Sequence, residues 1–573
     1  MRARLIHSLT VAACLLAIPT GSQAAGSQAA ESQAAESQAA GSRATWAQQP
    51  QAQATQISPD DHAPDPSPPE FSAQRLSDHI KYLADDALEG RFPGKVGEPL
   101  TLAYLQAQYE ALGLEPGGPS GQWLQTVDLL RLTPTRPATI SWTGPDHVAH
   151  PITSGLQVRA GAASSHVALK DVPVVFAGYG VVAPERHWDD YGDMDLTGKV
   201  VIVLGGQPAV FGVDPDFYGS PSHKTQEALK RGAVGVITLY DTPGRRLWGD
   251  TRPRMTIVGS HETAFSGSMT LEVATPMASA THNDITALIA RARAGDFKAR
   301  DTGTTLSVDI DESTEAIQSH NLLARIPGST RPNETVIYSA HWDHIGVAAD
   351  ADANGDRIYN GAWDNASGTA GLIEMARAFK AGSPPERSVV FLHVTAEEQG
   401  LLGSEWYANH PVYPVETTAA DINIDMLPFT PATRTIAVFG LGKSSLEDDL
   451  GRLAAREGRT VVGDGEPEQG YYYRSDHFNF AIAGVPALMP WTGVDFVEGG
   501  EAVGRPAYQW EMRQYYHQRD DEWRADYDFA GAIQNLRLLY DLGHDVADSP
   551  DWPQWKPTAE FAAVRHLSDG ARQ

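Results

Sequence analysis

Apolar positions recur at helical spacing near the front of the folded chain. Leu76, Ile80 and Leu83 share one face and predict a helix over about 73–88. Gly90-Arg91-Phe92-Pro93-Gly94 breaks that pattern, and a second helix is predicted from about Pro99 to Leu112. Between Leu130 and Arg300 the character changes to short β-rich runs set apart by Gly, Pro and Asp. These include Val172–Ala177, Lys199–Leu204 and Gly235–Leu239, with an amphipathic stretch from Lys224 to Arg231. After Gly303, strands are predicted at Asn321–Ile326, Thr335–Ala340, Ser388–Val394, Asp421–Met426 and Val485–Met489. They alternate with helices at Ser367–Lys380, Gly403–Ala408, Leu446–Glu457 and Ala530–Ala547. Apolar strands alternating with helices describe an α/β fold, a mixed, mostly parallel sheet sandwiched by helices. The β-rich module at 131–302 is then an insert between a first segment, 71–130, and the main body of the same domain, 303–550, with a C-terminal tail at 551–573.

The front end reads differently. Arg2 and Arg4 precede an apolar run from Leu5 to Ile18, and Ser22-Gln23-Ala24 offers small residues for cleavage, so 1–24 is expected to be a signal peptide. From Gly21 a five-residue unit repeats as GSQAA, GSQAA, ESQAA, ESQAA, and 25–70 is expected to be a disordered low-complexity linker. The only cysteine, Cys14, falls inside the signal, so no disulfide is expected after cleavage. The chain is thus expected to be exported, periplasmic or secreted, with no membrane association once the signal is removed. At 573 residues it is too long for one ordinary domain. A net charge of -28 repels phosphate backbones and argues against nucleic acid as a partner.

The chemistry concentrates in three ordered motifs: His341-Trp342-Asp343, Asn360-Gly361-Ala362-Trp363-Asp364-Asn365 and Ala396-Glu397-Glu398-Gln399-Gly400. Asn423-Ile424-Asp425-Met426 and Arg474-Ser475-Asp476-His477 complete the set. Most fall just after predicted strand ends, where sites form in open α/β sheets. Zinc takes imidazole nitrogen and carboxylate oxygen, and a pair of metals needs one carboxylate to bridge them. Asp364 is assigned that role, His341 with Asp425 complete one metal, and Glu398 with His477 the other. Three carboxylates bring three of the four negative charges that two dications require. Glu397 is left over as general base, and Asp343 is placed to accept the free ring N–H of His341. His344 and His393 read as packing or hydrogen-bonding residues, and His517 as a residue that lines the site. Asp350 to Asp356 resembles the start of a calcium loop, but Gly361 stands where its bidentate acid belongs, so structural Ca2+ is only a lesser expectation. There is no Gly-x-Ser-x-Gly elbow and no His-Glu-x-x-His helix.

On these motifs the chain resembles the co-catalytic di-zinc aminopeptidases of clan MH, the group with leucyl-type aminopeptidases and glutamate carboxypeptidases. The resemblance covers about 71–130 and 304–548, and the insert is similar to a protease-associated domain. It implies the zinc exopeptidase fold, two Zn2+ ions, peptide substrates, a bridging role for Asp364 and a base role for Glu397. It also implies a cis peptide after Asp364 and a tyrosine that stabilises the oxyanion. Tyr471, Tyr472 and Tyr473 are the candidates, with Tyr473 put forward. An aminopeptidase is the leading expectation. A glutamate-releasing carboxypeptidase, a glutaminyl cyclase and a non-catalytic binding protein on this fold are the alternatives.

Overall fold

The computed structural model describes residues 70–572 apart from 162–164, 213–216, 243–246, 248–252 and 261–262. The expected signal peptide and linker lie outside the described residues. Ser72 caps the first helix, α1 (Ala73–Leu83), by accepting from Arg75 N–H, and α1 ends five residues earlier than its apolar pattern suggested. The helix α2 (Gly97–Ala111) follows the turn at Gly90-Arg91.

Eight strands build the main sheet: β1 (Leu124–Pro134), β2 (Arg300–Ile326), β3 (Arg331–His341), β4 (Arg387–Val394), β5 (Thr418–Asn423), β6 (Thr435–Phe439), β7 (Thr460–Gly463) and β8 (Ala487–Thr492). Their spatial order is β1-β2-β4-β3-β5-β8-β6-β7. The central strands β4, β3, β5 and β8 run parallel; β2 is antiparallel to β4 and β1, whereas β6 is antiparallel to β8 and parallel to β7. Every residue of β4, β5 and β8 is buried, as expected of strands covered on both faces, with Val389–Leu392 an apolar run at the centre of β4.

Alternate side chains feed two cores. Tyr338, Phe391 and Ile422 point to one, beneath α1, α3 (Ser367–Ala381) and α8 (Ala530–Asp548). Ile337, Val390 and Met489 point to the other, with the helices Leu402–Asn409 and His477–Ile482. Residues 551–572 pack onto this second face: the Trp555 indole donates to Gly484 O, and buried Arg565 donates to Val415 O and Thr418 O.

The insert is a second mixed sheet. Strands His166–Phe176, Val200–Leu204, Gly235–Tyr240 and Phe265–Thr270 run parallel in that order, beside helices Pro221–Lys230, Leu271–Ala280 and Ile285–Arg293. The two sheets share the 27-residue strand β2: its first part pairs within the insert, its last part with β1 and β4. Among the described residues no helix is long and apolar enough to cross a membrane.

His393 sits in β4 with its Nε2 2.6 Å from the Tyr109 hydroxyl of α2. Burial alone holds this imidazole down at about 3, against an ordinary 6.5. The folded state accommodates only the neutral ring. As pH falls from 6.5 toward 3, the unfolded chain therefore takes a proton that the fold refuses. Stability should drop through that window by up to about 1.4 kcal/mol per pH unit from this residue. His393→Gln should flatten the acid limb of a urea-midpoint profile while staying close to the parent at pH 8; parallel acid limbs would contradict the assignment.

Candidate metal centre

Five loops at the carboxyl edge of the parallel strands converge. His341 is the last residue of β3, Glu397 and Glu398 follow β4, and Asp425 lies two residues beyond β5. Asp364 sits in the turn that opens α3, and His517 follows the helix α7 (Glu501–Gln514). The Asp364 carboxylate faces two ways: Oδ1 is 3.3 Å from His341 Nε2, and Oδ2 is 3.1 Å from His517 Nε2. His341 Nε2 is also 3.2 Å from Asp425 Oδ1, and His517 Nε2 is 3.2 Å from Glu398 Oε2. Two groups with one shared carboxylate result. His341, Asp364 and Asp425 form the first, while Asp364, Glu398, His344 and His517 gather in the second.

The supporting contacts are dense. The peptide Asp364-Asn365 is cis, as the resemblance implies. Asn365 binds the neighbouring loop, accepting from Met426 N–H at 3.1 Å and donating to Ile424 O at 3.1 Å. Asp521 accepts Trp363 N–H and Asp364 N–H at 2.7 and 3.0 Å, and burial pushes its carboxyl up to about 7. Ser475 donates to Asp425 Oδ2 at 2.6 Å. Behind the loops lies Arg91, 1% exposed, whose guanidinium donates to four carbonyls: Leu83 O, Trp342 O, Asn360 O and Gly361 O. No carboxylate hydrogen-bonds to it among the described residues; its charge instead sits near Asp521, Asp343, Asp364 and Glu398, and burial lowers it to about 10.

The donors present fit a pair of divalent metals. Two groups of imidazole and carboxylate gather around one shared aspartate, and His344 Nδ1 lies 2.7 Å from Glu398 Oε1. Burial opposes charge on His517, yet its hydrogen bonds with Asp364 and Glu398 outweigh that and push it up to about 10, so the cluster calls for cations. Burial, reinforced by Asp425, Glu398 and Asp476, holds the Glu397 carboxyl well above the usual range, although His341 opposes this.

Three assignments change. His477 is not in the cluster: it opens the helix His477–Ile482, lies edge-on to Tyr472 at 4.7 Å between centroids, and burial lowers it to about 3. His517 stands in the place assigned to it. The Asp343 carboxylate does not take the His341 ring N–H; the Asp343 backbone carbonyl lies 3.1 Å from His341 Nδ1, while Asp343 Oδ1 is 3.9 Å away and accepts Glu397 N–H instead. Tyr473 turns its hydroxyl to Glu560. Tyr516, missed in the sequence, stacks on His517 at 3.9 Å and accepts Arg474 Nη2–H at 3.1 Å. Burial raises its pKa, and the charges of Asp364, Glu397 and Glu398 act in the same sense. In the expected calcium loop, Asp352 and Asp356 accept backbone N–H groups of their own turn, and neither joins a metal-holding group among the described residues.

The two histidines are separable by experiment. His517→Ala should lower zinc retention by one equivalent, whereas His477→Ala should cost stability yet keep two; atomic absorption after gel filtration reads both, and the reverse pattern would overturn the exchange.

An α/β sheet with a cluster of three histidines and three carboxylates at its strand ends defines a candidate dinuclear metallohydrolase. Residues 321–540 match the model of peptidase family M28. The chain is 34% identical over 145 residues to Aminopeptidase NAALADL1 of Mus musculus, covering 24% of this chain and 17% of that protein. It is 28% identical over 210 residues to a probable glutamate carboxypeptidase of Arthroderma benhamiae, covering 32% and 26%. These matches thus span far less than two thirds of either relative. Among solved structures, an aminopeptidase from Aneurinibacillus sp. strain AM-1 aligns with a TM-score of 0.47 at 20% identity, covering 83% of this chain and 94% of that one.

Proposed function

We propose that the protein is an exported zinc exopeptidase that removes residues from the amino end of peptides. The observation that carries this reading is the shared Asp364, its two oxygens facing His341 and His517, with the Glu397 carboxylate close enough to act on the His341 charge. Zinc bound by these groups would acidify water and polarise the substrate carbonyl. His341, Asp425 and Asp364 would hold one ion; Asp364, Glu398 and His517 the other. Glu397 takes a proton from the attacking water and passes it to the departing amine, a role suited to a carboxyl that makes no hydrogen bond with described residues. The Tyr516 hydroxyl donates to the oxygen that gains charge during attack, and Arg474 keeps that hydroxyl in place. Glu397, Glu398, Asp364 and Asp425 make the pocket acidic, which favours a substrate's free α-amine.

Tyr516→Phe should lower kcat about 10²–10³-fold, the usual cost of one oxyanion donor, with zinc content unchanged. Kinetics at saturating substrate test this, and full kcat in the variant would remove Tyr516 from the role.

A glutamate-releasing carboxypeptidase is the second reading. Arg474 favours it, an exposed cation beside Tyr516 able to meet a terminal carboxylate. Aminoacyl anilides assayed beside acyl-glutamate peptides, with and without chelator, separate the two. Release from the anilides only supports the aminopeptidase, and release from acyl-glutamate only overturns it. The insert, read as a protease-associated domain, is proposed to shape the entrance; removing it without altering peptide-length selectivity would exclude that.

A further inference from the structure

We propose that Phe217, carried by the insert, is a positioning residue for the reaction, holding the Tyr471–Tyr473 turn where Arg474 can orient Tyr516. The inference rests on the oxyanion role given to Tyr516 above and extends it to a residue of the second sheet's module.

The insert joins the body through the shared strand β2 and through Arg254–Ile257, which pairs with β1. Phe217 makes a further contact. Among the described apolar side chains it alone packs against both the insert's core and the second core of the body. It opens a short turn, Phe217–Gly219, ahead of the helix Pro221–Lys230. Its neighbour Tyr218 is buried in the insert's core, edge-on to Phe211 at 5.6 Å between centroids, with the Arg186 guanidinium over both rings. Tyr218 thus roots the turn in the insert and leaves Phe217 half-buried at the boundary. There Phe217 meets Phe561 and Phe478 edge-on, at 5.7 and 6.3 Å between centroids, a geometry that aromatic pairs prefer.

The body side of this contact leads to the site. Tyr473 packs edge-on to Phe478 at 5.2 Å, and Tyr472 stacks with Phe561 at 6.3 Å. Tyr471, Tyr472 and Tyr473 form one turn, and Arg474 follows it directly. The Arg474 guanidinium lies over Tyr471 at 5.2 Å and donates to the Tyr516 hydroxyl at 3.1 Å. Close-packed rings pass a displacement on to their neighbours, so losing the Phe217 ring lets the turn shift and Arg474 with it. A misplacement on the order of 1 Å is enough to cost about 10²-fold in rate.

The test uses the full chain with Phe217→Ala, Phe217→Gln and Phe217→Tyr, each made in the parent and in Tyr516→Phe. Turnover is followed on the aminoacyl anilide or acyl-glutamate peptide that the parent hydrolyses, with zinc content and urea midpoint read on the same samples. In the parent, alanine and glutamine should lower kcat about 10–100-fold while KM and zinc content stay near their starting values. Tyrosine keeps the ring and should restore most of the rate. In Tyr516→Phe the same substitutions should change kcat by less than about twofold, because residues that act through one group are not additive. A Phe217 that only stabilises the fold would move the urea midpoint and leave the kcat of folded enzyme unchanged. Parent-like kcat in a folded alanine or glutamine variant, equal losses in both backgrounds, or no recovery with tyrosine would overturn the inference. Glutamine keeps most of the length at a half-buried position and decides the matter if alanine does not fold. Full kcat in Tyr516→Phe itself would instead sink the oxyanion reading, and this inference with it.

Discussion

Glu397→Ala is expected to retain both zinc ions yet lose turnover by about 10²–10⁴-fold, the contribution of a positioned general base. Glu397 follows a residue with positive φ, Ala396 at +54°, and this twist separates its direction from that of Glu398. Glu398 turns toward His344 and His517, whereas the Glu397 backbone N–H is tied to Asp343 Oδ1 at 3.1 Å. Among the described residues, the Glu397 side chain joins none of the groups that could hold a metal. Zinc stoichiometry read beside kcat checks both halves. Lost zinc would recast Glu397 as a ligand, and near-normal turnover would place the base elsewhere.

The second large effect is structural. Arg91→Met should destabilise the fold by more than about 4 kcal/mol, because four buried carbonyls lose their donor at about 1–3 kcal/mol each. Leu83, Trp342, Asn360 and Gly361 belong to three separate segments, so the guanidinium stands where a small core would otherwise be needed to join them. Arg91→Lys should recover only part of the loss, since one ammonium cannot match a planar fork spread over four acceptors. Urea midpoints on zinc-free samples measure this without metal linkage. A methionine variant within 1 kcal/mol of the parent, on the order of a surface substitution, would show that these contacts contribute little.

Most of the sheet was readable because strands buried on both faces carry apolar runs, as Val389–Leu392 illustrates. The edge strand Thr460–Gly463 is largely exposed and lacks that signature, and Thr435–Phe439 carries it only in the four residues Ile436–Phe439; both were missed. So was α7, whose interior carries Gly504 and Pro506 and buries only Gly504. This explains the wrong histidine. His341, Glu398 and Asp425 could be found at strand ends, but His517 hangs from a helix with no apolar stripe. His477 shares a motif with Asp476 and Ser475, both beside the site, yet as the first residue of its helix it turns toward Tyr472. Arg91 was read as part of a chain break, since nothing in a Gly-Arg-Phe-Pro-Gly turn distinguishes a solvated arginine from a buried one. For Asp343, a spacing of two residues cannot tell whether carboxylate or carbonyl meets the His341 ring; the backbone does.

We propose that one aspartate, Asp364, is shared by two zinc ions. Anomalous diffraction at the zinc edge on crystals of the full chain tests it most directly. Two peaks are predicted, one against His341 and Asp425 and one against Glu398 and His517, with an Asp364 oxygen on each. A single peak, or two that leave Asp364 without a metal contact, would contradict it.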